Sequence, residues 1–213
     1  MVFADFAHVG DALRFGGGPQ RLRPAVDGVN GEGRRSERSA RQLRLIGETV
    51  AIAKTLGVEI WLRGGWAMDL LIGEPTRDHE DIDWFAWSAD AATLTRGLLR
   101  SGYEPLSGPA AGQQLDFGKQ GEESSFALLD KDRLDRVVVA GGPWAGERWP
   151  EDMLEGSSGR IGALRCGIIS PRSQIEIKQM MPVWALGRPR RKKDADDITR
   201  LAAVLQEQHI CPQ

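Results

Sequence analysis

The heptapeptide Asp81 to Trp87, DIDWFAW, leaves this chain few ways to fold. Its aromatic and β-branched residues favour an extended strand. Side chains alternate between faces along a strand, so Asp81 and Asp83 project together and Ile82 turns the other way. Their α-carbons then lie roughly 7 Å apart. Two carboxylates so placed repel each other, and an apolar strand deepens that cost. A divalent cation between them removes the repulsion and gains oxygen ligands. Magnesium suits such a site, because it keeps some waters and takes further ligands from phosphate oxygens.

What precedes the strand sharpens this reading. Leu43, Ile46, Val50, Ala53 and Leu56 recur at helical spacing, and Gly57 stops the helix. Val58 to Leu62 (VEIWL) suits a strand. Gly64-Gly65 then breaks it and opens a short helix over 66–72, ended by Gly73 and Pro75. Glycine lets a phosphate approach the backbone, and a helix N-terminus offers free N–H groups. The pair therefore stands where it can hold phosphates beside a metal.

Downstream, Ala91 to Arg100 predicts a helix stopped by Gly102. Strands are expected at 115–117, 126–129 and 137–140, and a two-strand pattern at 161–164 and 167–169. A glycine- and tryptophan-rich loop covers 141–150, where Trp144 and Trp149 either plug the core or line an acceptor pocket. Pro171 opens a helix to about Leu186, and a last helix covers Asp194 to Gln206. This order predicts an α+β fold, a mixed β-sheet flanked by helices, with a helical C-terminal segment. Residues 1–39 are glycine-rich, with Arg34, Arg35 and Arg38, and lack a sustained apolar period. They read as a disordered or loosely packed extension, and 40–213 as the domain.

The formal net charge of −2 lacks the basic excess of a dedicated nucleic-acid binder. The N-terminal run MVFADFAHVG has no secretory pattern, and no apolar stretch is long enough to span a bilayer. A cytoplasmic protein is expected, with Cys166 and Cys211 as free thiols and no membrane partner.

The run Gly64-Gly65-Trp66-Ala67-Met68-Asp69, then Gly73, Arg77, His79, Asp81 and Asp83, resembles the signature of the aminoglycoside-2''-adenylyltransferase family. Those enzymes and the similar lincosamide nucleotidyltransferases belong to the DNA polymerase β-like nucleotidyltransferase superfamily. The resemblance implies that fold for 40–213, with ATP or another nucleoside triphosphate as co-substrate. It also implies two magnesium ions bridged by Asp81 and Asp83, and a small hydroxylated acceptor. It covers about Ala40 to Gln206, more weakly away from the motif.

The superfamily uses a third carboxylate on a later strand, as metal ligand and base. Asp135 is the best match, in Arg133-Leu134-Asp135-Arg136 before the valine strand, with Asp130 and Asp132 behind it. Relatives also carry a lysine on the helix after the last strand and a basic stretch beyond it. Lys178 fits the first, and Arg191, Lys193, Asp194 and Asp197 the second. Gly64, Gly65, Arg77, His79, Lys178 and Lys193 are thus the expected nucleotide-binding residues. His79 either touches phosphate or fixes its loop, and Arg77 orients the loop through a carboxylate such as Asp69. Asp135 is followed by Arg136, whereas the aminoglycoside enzymes place more acid there, so the acceptor stays open. A toxin-like enzyme modifying protein or RNA and a non-catalytic nucleotide-binding relative are the alternative readings.

Overall fold

The computed structural model describes residues 31–108, 112–184 and 191–210. Among the described residues, five α-helices and eight strands follow the expected order, with one short unexpected strand, at Glu104–Pro105, added to the seven foreseen. They are α1 (Gly31–Leu56), β1 (Ile60–Leu62), α2 (Gly64–Ile72), β2 (Ile82–Trp87), α3 (Ala91–Arg100), β3 (Glu104–Pro105), β4 (Gln114–Lys119), β5 (Glu122–Lys131), β6 (Val137–Val139), β7 (Ser158–Ile161), β8 (Leu164–Gly167), α4 (Pro171–Trp184) and α5 (Lys192–Ile210).

The main sheet runs β1-β2-β5-β4-β3, and β6 pairs with the far end of β5. Only β2 and β5 are parallel within it; β7 and β8 make a separate hairpin. The mixed sheet and flanking helices agree with the expected α+β class.

Alternation along the strands divides the sheet into two faces. Ile82, Trp84 and Ala86 of β2, with Phe126 and Leu128 of β5, join Leu45, Ile46 and Ala53 of α1 and Leu94 and Leu98 of α3 in one apolar cluster. Trp84, Phe126 and Ile82 are fully buried there, each stabilising by about 1.5–3 kcal/mol. On the other face, Phe85, Ala127 and Leu129 pack with Val139, Trp149, Met153 and Ile169. Trp149 meets Phe85 edge-on at 4.9 Å, so it serves the core.

Two boundaries differ from expectation. Helix α1 starts at Gly31 rather than Ala40, and Arg38 and Ser39 are tied to Glu122 and Asp78. Long-range polar contacts hold this turn, and apolar periodicity carries no sign of them. Residues 1–30 lie outside the described residues. The β7–β8 hairpin sits three residues earlier than expected, because Gly162, at φ +57°, makes the turn. The expected end of the Pro171 helix, at 185–186, also lies outside the described residues, as does Cys211. Cys166 is a buried free thiol, pushed up to about 12 by burial.

Candidate active site

Asp81 and Asp83 stand at the N-terminal end of β2, on the face opposite Ile82, and open onto a cleft. Arg63 enters beside them from the end of β1. Its N–H donates to the Asp83 carbonyl at 3.0 Å, and its guanidinium reaches Asp83 Oδ1 at 3.1 Å while lying over the Phe85 ring. Burial, and next the charge of Asp83, push the Asp81 carboxyl up to about 7; Arg63 and Lys193 only partly oppose them.

Sheet register adds Asp116 and Ser125, which sequence reasoning missed. Asp83 pairs with Ser125 of the parallel strand β5, and Ser125 pairs with Asp116 of β4. The three residues therefore share a face and a row, with Asp83 and Asp116 about 10 Å apart at their α-carbons, two interstrand spacings. Asp116 is buried, and the Gln114 amide donates to its Oδ1 at 2.6 Å. Gly108 passes so close to Asp116 Oδ2 that a β-carbon there would collide. Ser125 is fully buried and its hydroxyl has no partner among the described residues. Glu123 lies one alternation away on the same face, raised from the ordinary carboxylate range first by burial, then by Asp116 and Asp83.

Asp135 is elsewhere. It occupies the β5–β6 turn at φ +62°, with its side chain 80% exposed and bonded to Lys131 at 2.9 Å. That turn lies about 20 Å along β5 from Ser125, at ~3.3 Å per residue over the six residues to Lys131. Asp130 and Asp132 flank the same turn. Asp132 accepts from the Arg136 guanidinium and from two backbone N–H groups, which bring it to about 2. The strand pattern after Asp135 is real, but the chain reverses there at the C-terminal end of β2, far from Asp81 and Asp83 at its other end. A clue to Asp116 is present in Gln114-Leu115-Asp116-Phe117, which alternates polar and apolar residues with a carboxylate on the polar phase.

The expected phosphate-side residues converge. Gly64, Gly65, Arg77, His79, Lys178 and Lys193 all line the cleft with Asp81 and Asp83. Gly64 has φ +70°, and a β-carbon there would stand 2.9 Å from Asp83 Oδ2. Gly65 leaves room for the His79 ring. His79 is buried, with Nδ1 2.6 Å from Arg77 and Nε2 2.7 Å from Asp69. A guanidinium can only donate, so Nδ1 accepts and Nε2 carries the proton to Asp69. His79 thus fixes its loop, and Arg77 reaches Asp197 rather than Asp69. Lys193 pairs with Glu80 at 3.4 Å.

The donor set fits magnesium. Two carboxylates share a face, one is held up by burial and the other's charge, and a dication relieves both. Among the described residues no three carboxylate, imidazole or thiol groups cluster at ligand spacing. The remaining ligands would be waters and phosphate oxygens, as magnesium prefers. No helix among the described residues is long and apolar enough to cross a membrane.

The profile of a family described as aminoglycoside-2''-adenylyltransferase matches residues 46–201. A 2''-aminoglycoside nucleotidyltransferase of Klebsiella pneumoniae is 35% identical over 77 residues, 36% of this chain and 40% of that protein. A second, of Escherichia coli, matches to the same extent. These alignments thus span well under half of either curated relative. Among solved structures, the solution structure of the antibiotic-resistance factor ANT(2'')-Ia matches with a TM-score of 0.63 at 17% identity, over 78% of this chain and 85% of that one. The lincomycin-bound lincosamide antibiotic adenylyltransferase LnuA matches with a TM-score of 0.57 at 18% identity, over 73% of this chain and 92% of its own. At these identities the structural matches show the fold.

Proposed function

Since the chain belongs to the aminoglycoside-2''-adenylyltransferase family, we propose that it transfers AMP from magnesium-bound ATP to a hydroxyl of a small cationic acceptor of aminoglycoside type. The observation that carries this is the Asp81–Asp83 pair on one face at the mouth of a cleft walled by Arg63, Arg77, Lys178, Arg191 and Lys193. Those cations give phosphate oxygens charged donors to bind, and leaving pyrophosphate develops more charge to be neutralised.

Asp81 and Asp83 would hold the metal, which when bound screens the triphosphate and polarises the α-phosphate. Gly64, Gly65, His79 and the basic residues frame the phosphate tail. Asp116, replacing Asp135 in this role, takes the proton of the acceptor hydroxyl. The acceptor oxygen forms a bond to the α-phosphorus as the bond to the bridging oxygen breaks, and pyrophosphate departs. The chain contributes alignment and charge neutralisation. Asp116 and Glu123 beside Asp83 make the acceptor side acidic, which favours a polycationic sugar over an uncharged alcohol or a nucleic acid.

Pyrophosphate release, measured with each nucleoside triphosphate across aminoglycosides, lincosamides and simple alcohols, tests the reading. Turnover with ATP and an aminoglycoside is expected, and Asp83→Asn should abolish it with the fold retained. No release with any pair, or full activity in the variant, ends the proposal.

A further inference from the structure

Asp197 stands outside the chemistry just described, yet it is the most buried of the carboxylates lining the cleft. It sits on α5, 1% exposed. Its Oδ2 accepts from Lys178 Nζ of α4 at 2.8 Å and from Arg77 Nη2 of the α2–β2 loop, also at 2.8 Å. Its Oδ1 is buried with no partner among the described residues. Two cations therefore crowd a single oxygen, held closer than their repulsion would allow without it.

The contacts continue past Arg77. Its Nη1 donates to His79, His79 donates to Asp69 on α2, and Asp69 also accepts from the Thr76 N–H at 3.0 Å and hydroxyl at 2.7 Å. One carboxylate on the last helix is thus joined to the loop that delivers Asp81 and to the helix that opens at Gly64. The arrangement leaves unused hydrogen-bonding capacity on both cations. An ammonium carries three hydrogens, and the bond to Asp197 uses one. Arg77 Nε is buried and has no partner among the described residues. One negative charge against two positive leaves this one point of the wall net positive.

We infer that Asp197 is a positioning residue for the triphosphate: it holds Lys178 and Arg77 at one point of the cleft wall, so that docking of α5 assembles the phosphate-binding end. This rests on the nucleotidyl transfer proposed above. An alternative, that Asp197 only glues α5 to the domain, predicts loss of stability without selective loss of triphosphate affinity.

Steady-state kinetics on Asp197→Asn, Lys178→Met and the double variant separate the two, with inhibition by inorganic pyrophosphate and thermal melting alongside. Losing a charge-assisted bond that orients each cation should raise the triphosphate KM and weaken pyrophosphate inhibition by about tenfold to a hundredfold. The acceptor KM should stay within about twofold, and the double variant should lose less triphosphate affinity than the two single losses combined, because the Lys178 share of the Asp197 effect is already gone in Lys178→Met. Asp197→Glu, which keeps the charge, should recover part of the loss. An unchanged triphosphate KM in Asp197→Asn, an equal rise in the acceptor KM, or additive losses in the double variant would overturn the inference. If Asp197→Asn does not fold, Arg77→Gln with Lys178→Met makes the same cycle: sharing one carboxylate makes their losses non-additive, and additive losses refute it. Wild-type protein that binds neither triphosphate nor pyrophosphate defeats the functional proposal as well, whereas normal wild-type binding with an unmoved variant defeats this inference alone.

Discussion

Gly65→Ala adds one methyl group where the chain has no room for it. The new carbon would land on Nδ1 and Cε1 of His79 and lie 3.2 Å from Arg77 Nη2. The imidazole cannot swing away freely. It is buried, packs 4.6 Å from the Trp66 ring, and is bonded to Asp69 at 2.7 Å and Arg77 at 2.6 Å. Overpacking costs about 1–3 kcal/mol. Losing a buried bond to a charged partner costs about 1.5–3 kcal/mol more. Alanine returns up to about 1 kcal/mol as the better helix former, since Gly65 needs no left-handed backbone. A net loss of about 1.5–5 kcal/mol follows, from a total of order 5–15 kcal/mol. At about 2–4 °C per kcal/mol for a chain of this length, melting should fall by roughly 3–20 °C. Calorimetry and urea unfolding at neutral pH measure this directly. Adding His79→Ala should return much of the loss, because the clash vanishes with the ring. A neutral or stabilising Gly65→Ala, or strict additivity with His79→Ala, would refute the packing argument whatever the enzyme does.

Other outcomes are equally specific. The Asp81 carboxyl sits at about 7 when folded against an ordinary 3.8, so folding favours its protonated form. Metal-free protein should carry that stabilisation in full below about pH 4 and lose it as pH rises through about 7. Asp81→Asn should flatten this slope in EDTA and abolish the rise in melting temperature that magnesium gives wild type at neutral pH; identical slopes would contradict it. Asp116→Asn should lower kcat by about 10²–10⁴ with the triphosphate KM little changed, as for a lost general base. Asp135→Ala should leave kcat within about twofold of wild type, and the reverse ranking of these two variants in a kinetic comparison would restore Asp135 to the site.

How much of this was legible in the linear chain follows from the range of each interaction. Asp81 and Asp83 could be read as sharing a face because strand alternation is local, and α3 because its leucines keep helical spacing. Asp116 could not, because its place beside Asp83 depends on two strand pairings across β5, and no local pattern sets that register. Asp135 misled for a related reason. The valines after it do form a strand, but the Asp132–Arg136 contact closes the hairpin so that its acids face solvent. Arg77 found its carboxylate on α5 at Asp197, 120 positions along the chain, a distance over which composition says nothing.

The start of α1 bears on how the protein should be trimmed for study. Glu122 is nearly inaccessible, and Arg38, Arg41 and Gln42 all bond to its two oxygens, while Arg38 also grips the Glu80 carbonyl next to Asp81. A shortened recombinant version beginning at residue 40 would look safe by apolar periodicity. It would nonetheless sever a strap running from the first helix to the loop that presents Asp81, and a poorly active truncation could then be mistaken for an inert protein.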